Sequence, residues 1–169
     1  VKHFAVNFGA SADMKDDEGT VWFGYPNPKT GSYNHFPNYG VKFDLNAQTL
    51  PGMGYFSRDF KGVYIAGTDK PWLFTSGCQG MTSGEVPLTD DASGQKAAMY
   101  TVRLGFKAMP EDKEGRRVFN IKLQDKVVLE SFDILKTSGR INRAVIKEFK
   151  DIRAENVLVL ELLPKSASP

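Results

Sequence analysis

The sequence of 169 residues has one cysteine and two histidines, and this scarcity excludes several kinds of site. A single cysteine cannot form an intramolecular disulfide or a cysteine-rich metal site. Two histidines, His3 and His35, are too few for a histidine-rich metal centre. The formal net charge of +2 is too small for an electrostatic nucleic-acid binder. No apolar run approaches the roughly 20 residues of a membrane-spanning helix.

What the sequence does contain is a globular composition with an uneven distribution of aromatic residues. It is 41% hydrophobic and 25% charged, which is typical of a folded domain. Of the 20 aromatic residues, 15 lie in residues 1–85 and 5 in residues 86–169. The two halves therefore call for separate interpretation.

Alternation of apolar and polar residues predicts regular strands in the second half. In residues 98–106, every second residue from Tyr100 to Phe106 is apolar, as in a half-buried strand. Residues 117–123 and 127–132 alternate as well, and the short turn between them predicts a hairpin. The remaining strands predicted in this half are 144–149 and 157–163.

The first half predicts shorter strands between long loops. The loops are 26–40, which is rich in Pro, Asn, Gly and aromatics, and 51–62. The nearest candidate for a long helix is 139–149, but its β-branched residues favour a strand from about 144. About ten short strands predict one all-β domain over residues 1–169, either a sandwich or a barrel. The strands predicted in this half are 4–8, 21–25, 41–45, 63–66 and 73–76.

Several short stretches together carry a resemblance to a known family. The second half contains YTVRLGF at 100–106, RVFNI at 117–121, VLESFDI at 128–134 and VLVLEL at 157–162. The front contains VNFG at 6–9 and GTVWFGYP at 19–26. Over nearly its whole length the chain resembles a malectin-type domain, in the form of bacterial modules attached to large secreted proteins. The resemblance implies an antiparallel, jelly-roll-like β-sandwich of the carbohydrate-binding-module type.

The resemblance also implies sugar binding by aromatic rings and polar groups on loops at one end of the sandwich. Trp22 falls where the family has an aromatic after its early glycine, and Phe74 falls near the tyrosine of its pre-hairpin strand. An aromatic pair is expected at 109–111, where this sequence reads MPE. The acidic residue expected after the last strand is replaced by Pro164 and a polar tail. The glucose-disaccharide specificity of the animal protein is therefore not implied.

Loop aromatics of the first half provide further candidate ligand residues. A rigid ring offers a sugar a flat apolar surface at little entropic cost, and nearby polar side chains can bind the hydroxyls. The alternative is that each ring covers the core beneath a long loop. Trp72, which follows Pro71, and the loop from Tyr33 to Tyr39 are the strongest candidates. The predicted ligand-binding set is Trp22, Tyr25, Tyr33, His35, Tyr39, Arg58, Trp72, Phe74 and Gln79.

An acidic stretch before Gly19 has two interpretations. Its carboxylates could bind Ca²⁺, which takes several oxygen ligands, although the spacing differs from the EF-hand pattern. A solvated turn leading into the strand at 21–25 is the favoured interpretation. The residues concerned are Asp13, Asp16, Asp17 and Glu18.

The sequence shows no recognisable catalytic constellation. Cys78 lies in SGCQG at 76–80, which matches no nucleophile motif, and its expected role is that of a small buried hydrophobe. No phosphate-binding glycine loop is present, and no motif indicates a pair of catalytic carboxylates. We therefore expect neither catalytic residues nor a resident cofactor.

These observations predict a non-catalytic module that binds poly- or oligosaccharide through loop aromatics and polar side chains. No initiating methionine or signal peptide precedes the first strand, and a polar tail follows the last, so we expect a module of a larger bacterial protein. Its expected location is extracellular, periplasmic or at the cell surface, with glycans and sister domains as partners and neither nucleic acid nor membrane insertion. Two alternatives stay open: a structural or protein-interaction sandwich without a sugar site, and a polysaccharide hydrolase or lyase.

Overall fold

The computed structural model describes residues 3–26, 41–45, 54–58, 62, 64–88 and 97–165. Within these ranges the chain forms one short helix, α1 (Ile134–Ser138), a 3-10 turn at Pro71–Phe74 and twelve strands, which confirms the all-β prediction. Neither described helix is long and apolar enough to cross a membrane. The strands are β1 (Ala5–Phe8), β2 (Met14–Lys15), β3 (Val21–Tyr25), β4 (Lys42–Leu45), β5 (Gly54–Ser57), β6 (Ser76–Gln79), β7 (Met81–Pro87), β8 (Ala98–Lys107), β9 (Val118–Leu123), β10 (Lys126–Asp133), β11 (Ala144–Ala154) and β12 (Val157–Pro164).

A five-stranded antiparallel sheet forms one layer, in the order β10–β9–β12–β7–β4. Alternate residues of β9 face the core, as the alternation of apolar and polar residues in its sequence predicts. Phe119, Ile121 and Leu123 are the most deeply buried large side chains among the described residues. The predicted hairpin is confirmed, with Leu123 opposite Lys126 across the turn between β9 and β10.

The opposing layer contains the antiparallel pairs β8–β11 and β5–β6 and the small sheet β1–β3–β2, in which β1 and β3 are parallel. Phe106 of β8 reaches across the core. Its ring centroid lies 5.9 Å from that of Phe119 and 5.0 Å from that of Phe132. Burial of each such ring stabilises the fold by about 1.5–3 kcal/mol. The two layers enclose the main core, as expected for a β-sandwich.

The strands predicted from regular alternation are confirmed, whereas two of those predicted in the first half are wrong. In place of a strand at 63–66, the described residues make only an isolated bridge between Ala66 and Arg143. In place of a strand at 73–76, the segment begins with the 3-10 turn, because Pro71 favours the first position of a helical turn. Strands β2, β5, β6 and β7 were not predicted. β5 lies within the segment 51–62 that was predicted to be a loop, and Gly77 and Gly84 interrupt the apolar alternation of β6 and β7.

The start of the chain is joined to β5 and β6 by a buried hydrogen bond and a close backbone approach. Asn7 is buried, and its Oδ1 accepts a hydrogen bond from the Ser76 Oγ at 3.1 Å. Gly9 has a φ of +73°, and a Cβ atom there would lie 2.1 Å from the Phe56 carbonyl oxygen and 2.7 Å from that of Gly77. Only glycine fits, because it lacks a Cβ and tolerates positive φ. The VNFG motif thus fixes the N-terminal sheet against the β5–β6 pair.

Gly9→Ala is expected to destabilise the fold by about 3 kcal/mol or more, since steric overlap adds to left-handed backbone strain. Gly115 is a matched control, because its φ is +78° but an added Cβ would meet nothing within 4 Å. Gly115→Ala should cost only the strain of about 1–2 kcal/mol. Urea denaturation gives both free energies of unfolding. Equal losses in the two variants would contradict the close approach at Gly9.

Candidate functional site

Two of the predicted ligand residues, Trp22 and Trp72, lie side by side. Trp22 belongs to β3 and Trp72 to the 3-10 turn, and both are half-buried. Their ring centroids are 6.2 Å apart with planes at 89°, an edge-to-face arrangement that aromatic rings favour. Residues fifty positions apart are brought together, which no sequence spacing could indicate.

Asp16 holds the Trp22 ring in place. Its Oδ2 accepts a hydrogen bond from the Trp22 Nε1 at 3.0 Å, while its Oδ1 accepts from the backbone amides of Glu18 and Thr20. Its side chain is only 2% exposed. The hydrogen bond from Trp22 is the largest influence on this carboxyl and, against the opposing effect of burial, the pKa of Asp16 falls from 3.8 to about 2.

Lys70 connects the acidic turn to the segment that carries Trp72. Its Nζ lies 3.2 Å from the Asp16 Oδ2 and 2.9 Å from the Glu18 Oε2, and the hydrogen bond to Glu18 is the main reason that the pKa of Lys70 is raised. The Glu18 side chain is 72% exposed. Lys70 was not among the predicted ligand residues, because its partners Asp16 and Glu18 are distant in the sequence. We call the group of Asp16, Glu18, Trp22, Lys70 and Trp72 the tryptophan corner.

The acidic stretch therefore stabilises local structure. Asp13 Oδ1 accepts a hydrogen bond from the Gly24 amide at 3.0 Å, and both Asp16 oxygens are engaged by donors. These bonds fit the turn interpretation. In the described ranges, no group of three or more His, Cys, Asp or Glu side chains is placed to hold a metal ion. Calcium binding by Asp13, Asp16, Asp17 and Glu18 was the less favoured interpretation and stays untested.

Tyr25 lies on the face of β3 opposite to Trp22, because residues three apart on a strand point to opposite faces. Its ring centroid is 5.0 Å from that of Phe43 and 5.9 Å from that of Tyr55. Burial is the main reason that the pKa of the Tyr55 phenol is raised. Phe43 and Tyr55 were not in the predicted set. Two of the predicted ligand residues, Trp22 and Tyr25, therefore lie on opposite faces of β3, and Tyr25 packs with Phe43 and Tyr55 rather than with Trp22.

The other predicted ligand residues lie in different environments. Phe74 is 8% exposed and packs against β8 at Gly105, so it offers little ring surface to a ligand. Gln79 is half-buried at the end of β6, whereas Arg58 is exposed. Three members of the predicted set lie outside the described residues, and their role stays a prediction: Tyr33, His35 and Tyr39.

The loop after β8, where an aromatic pair was expected, turns towards the core instead. Met109 is buried, and its amide donates a hydrogen bond to the Asp112 Oδ2 at 2.7 Å. Asp112 also forms an ion pair with Arg117. This loop closes on itself and presents no ring to solvent.

Cys78 lacks the environment of a nucleophile. Its side chain packs against the main core, and burial raises the pKa of its thiol to about 12. The reactive thiolate is therefore scarce near neutral pH. This agrees with the role expected of a small buried hydrophobe.

Comparisons with known proteins are consistent with this architecture. The Malectin domain family model matches residues 2–161, and no curated protein matches the chain. A Bacteroides uniformis beta-glucuronidase has 18% identity and a TM-score of 0.65, over 97% of this chain and 16% of that chain. The extracellular domain of ANXUR1 from Arabidopsis thaliana has 14% identity and a TM-score of 0.53, over 94% of this chain and 42% of that chain.

A third solved structure is a complex of the plant peptide RALF23 with FER and LLG2. It has 16% identity and a TM-score of 0.53, over 95% of this chain and 42% of that chain. At such low identities the likeness concerns the fold. The chain spans less than half the length of each of these solved chains.

Asp16→Asn is expected to remove an acid-dependent part of the stability. A carboxyl whose pKa is lowered on folding stabilises the folded state at pH values above its unfolded pKa, which is near 3.8. This stabilisation is lost as the pH falls towards the folded pKa of about 2. As the pH is lowered through that range, the free energy of unfolding should therefore decrease more steeply in the unchanged protein than in the variant. Asp17→Asn is the control, because Asp17 is exposed and is outside the hydrogen-bonded group at Asp16. The same pH dependence in all three proteins would refute the role of Asp16.

Proposed function

The chain belongs to the Malectin domain family, and on this premise we propose that it is a non-catalytic carbohydrate-binding module. Malectin domains are generally binding modules without catalytic activity, which supports this proposal. The proposed ligands are poly- or oligosaccharides. The proposed binding surface is the tryptophan corner.

The edge-to-face pair of Trp22 and Trp72 is the observation that carries the proposal. Each indole offers an apolar face to the C–H groups of a pyranose ring, and a rigid ring loses little entropy on binding. The two planes at 89° are held from two sides, by the Asp16 hydrogen bond to Trp22 and by the turn that carries Trp72. The pair is therefore ordered before a sugar arrives, which lowers the cost of binding.

Polar groups at the corner complement the rings. The Lys70 ammonium has three protons, and its two carboxylate partners leave one donor for a sugar hydroxyl. The exposed Glu18 carboxylate has lone pairs that can accept hydrogen bonds from hydroxyls. The corner thus combines apolar faces with a donor and an acceptor, which are the requirements of sugar recognition.

Protein interaction is a second candidate function. One of the similar solved structures is a complex of the plant peptide RALF23 with FER and LLG2. In this function the tryptophan corner would stabilise the fold and would bind no sugar.

The cellular setting is part of the proposal. We place the chain as an accessory module of a larger bacterial protein that is secreted, periplasmic or at the cell surface. The similar beta-glucuronidase and ANXUR1 chains are each more than twice as long as the part that this chain matches, and the ANXUR1 structure is an extracellular domain. Sister domains of the larger protein would be the remaining partners.

Isothermal titration with neutral β-glucan, xylan and mannan oligosaccharides tests the proposed function. At least one should bind, and Trp72→Ala should weaken that binding about tenfold or more, equivalent to about 1.4 kcal/mol. Tyr64→Ala is the matched control, because Tyr64 is 79% exposed and is not part of the corner, so affinity should not change. Circular dichroism confirms that each variant is folded. No heat of binding to any of these glycans at millimolar concentration would count against the proposal.

A further inference from the structure

Met14 lies beside Trp22 in the sheet β1–β3–β2. The two residues are opposite each other in the antiparallel pairing of β2 with β3. Residues that are directly opposite in such a pair point to the same face, with Cβ atoms about 4.5–5.5 Å apart. Ala5 is the partner of Trp22 on the other side, in the parallel pairing of β1 with β3. The Trp22 side chain therefore stands between Ala5 and Met14 on one face of the sheet.

Exposure to solvent rises across this row of three residues towards Met14. Ala5 is 8% exposed, Trp22 is half-buried and Met14 is 47% exposed. In the part of the chain that the structure describes, β2 is an edge strand of this sheet. A ligand can therefore reach the Trp22 ring from the β2 side, where it would meet Met14.

Asp16, two residues after Met14, contacts the same indole. Its Oδ2 accepts the hydrogen bond from the Trp22 Nε1 at 3.0 Å. This is a diagonal contact between residues on one face of an antiparallel pair, so it agrees with the placement of Met14 on the face of Trp22. Asp16 thus engages the polar edge of the indole, and Met14 adds apolar surface next to the ring.

The backbone that carries Met14 is held in place on both sides. Before it, the Asp13 Oδ1 accepts a hydrogen bond from the Gly24 amide at 3.0 Å. After it, the Asp16 amide donates to the Thr20 carbonyl at 3.0 Å. A side chain on an ordered backbone costs less freedom to immobilise than one on a mobile loop. The position of Met14 relative to the indole is therefore set before a ligand binds.

We propose that Met14 forms a second apolar subsite next to the tryptophan corner, and that the module binds at least two consecutive residues of a glycan chain. One sugar ring packs on the indoles, and the next contacts the thioether and methyl group of Met14. The methionine side chain is unbranched and polarisable, so it adapts to an irregular surface. This inference rests on the proposed carbohydrate-binding function and specifies its ligand as a disaccharide or longer chain.

Isothermal titration with ligands of increasing length tests the subsite. The ligands are the monosaccharide, disaccharide and trisaccharide of the β-glucan, xylan and mannan series. In at least one series, the disaccharide should bind the unchanged protein about tenfold more tightly than the monosaccharide. Met14→Ala should weaken disaccharide binding about fivefold or more and leave monosaccharide binding within about twofold. An equal loss for both ligands would overturn the subsite, because it would indicate a change at the indoles.

Two control variants separate the contact from general effects of the substitution. Met99→Ala removes a methionine that is 59% exposed on β8, a strand that carries no residue of the corner, and its affinity should be unaltered. Met14→Leu keeps an apolar side chain of similar volume and should bind the disaccharide within about twofold of the unchanged protein. Equal losses in Met99→Ala and Met14→Ala would overturn the subsite.

Methyl NMR locates the contact directly. The Cε methyl signals of Met14 and Met99 are assigned by their disappearance in Met14→Leu and Met99→Ala. During titration with the disaccharide, the Met14 signal should shift and saturate with the binding curve, whereas the Met99 signal should not move. A Met14 signal that stays unmoved at saturating disaccharide would overturn the subsite.

Failure of this inference can be distinguished from failure of the proposed function. If glycans bind in a Trp72-dependent manner while Met14→Ala binds them as the unchanged protein does, the subsite is wrong and the proposed function stands. If no glycan of any length binds, both proposals fall.

Discussion

The close approach of Gly9 to the β5–β6 pair is the contact on which the tryptophan corner depends. β1 pairs with β3 and so places Trp22, while the segment leading into β6 carries Trp72. A larger residue at position 9 would separate these segments, because the overlap is with backbone atoms that cannot rotate away. The geometry of the rings is thus set by a glycine and a buried Asn7–Ser76 hydrogen bond.

Glycines in the strands also decide how the aromatic residues are used. The rings of Phe43, Phe56 and Phe74 cover Gly84, Gly77 and Gly105, with ring atoms 2.8 to 3.1 Å from where a Cβ would be. Each ring packs directly on the glycine backbone, because any other residue would place its side chain in the space that the ring occupies. These three rings, all from the aromatic-rich half of the sequence, are therefore used in packing between strands. The rings with remaining surface for a ligand are half-buried and lie at the edges of this packing, as Trp22 and Trp72 do.

The sequence predicted a strand correctly where the strand's own alternation of apolar and polar residues determines which of its side chains are buried. In strands β8 and β9 the apolar residues alternate with a period of two in the sequence, and burial alternates in the same way in the structure. Strand β6 was not predictable, because rings of other strands supply its packing. In the candidate site, the residue types were recognisable, but the pairing of Trp22 with Trp72 and the role of Lys70 depend on tertiary contacts. Local sequence carries no signal of these contacts.

The central claim is that the two indoles bind sugar together. Two-dimensional ¹H–¹⁵N NMR gives one indole N–H signal for each tryptophan, and the signal of Trp22 is recognised by its hydrogen bond to Asp16. During titration with a neutral oligosaccharide that binds, we expect both indole signals to shift and to saturate at the same ligand concentration. Binding that leaves both indole signals unmoved would contradict the account.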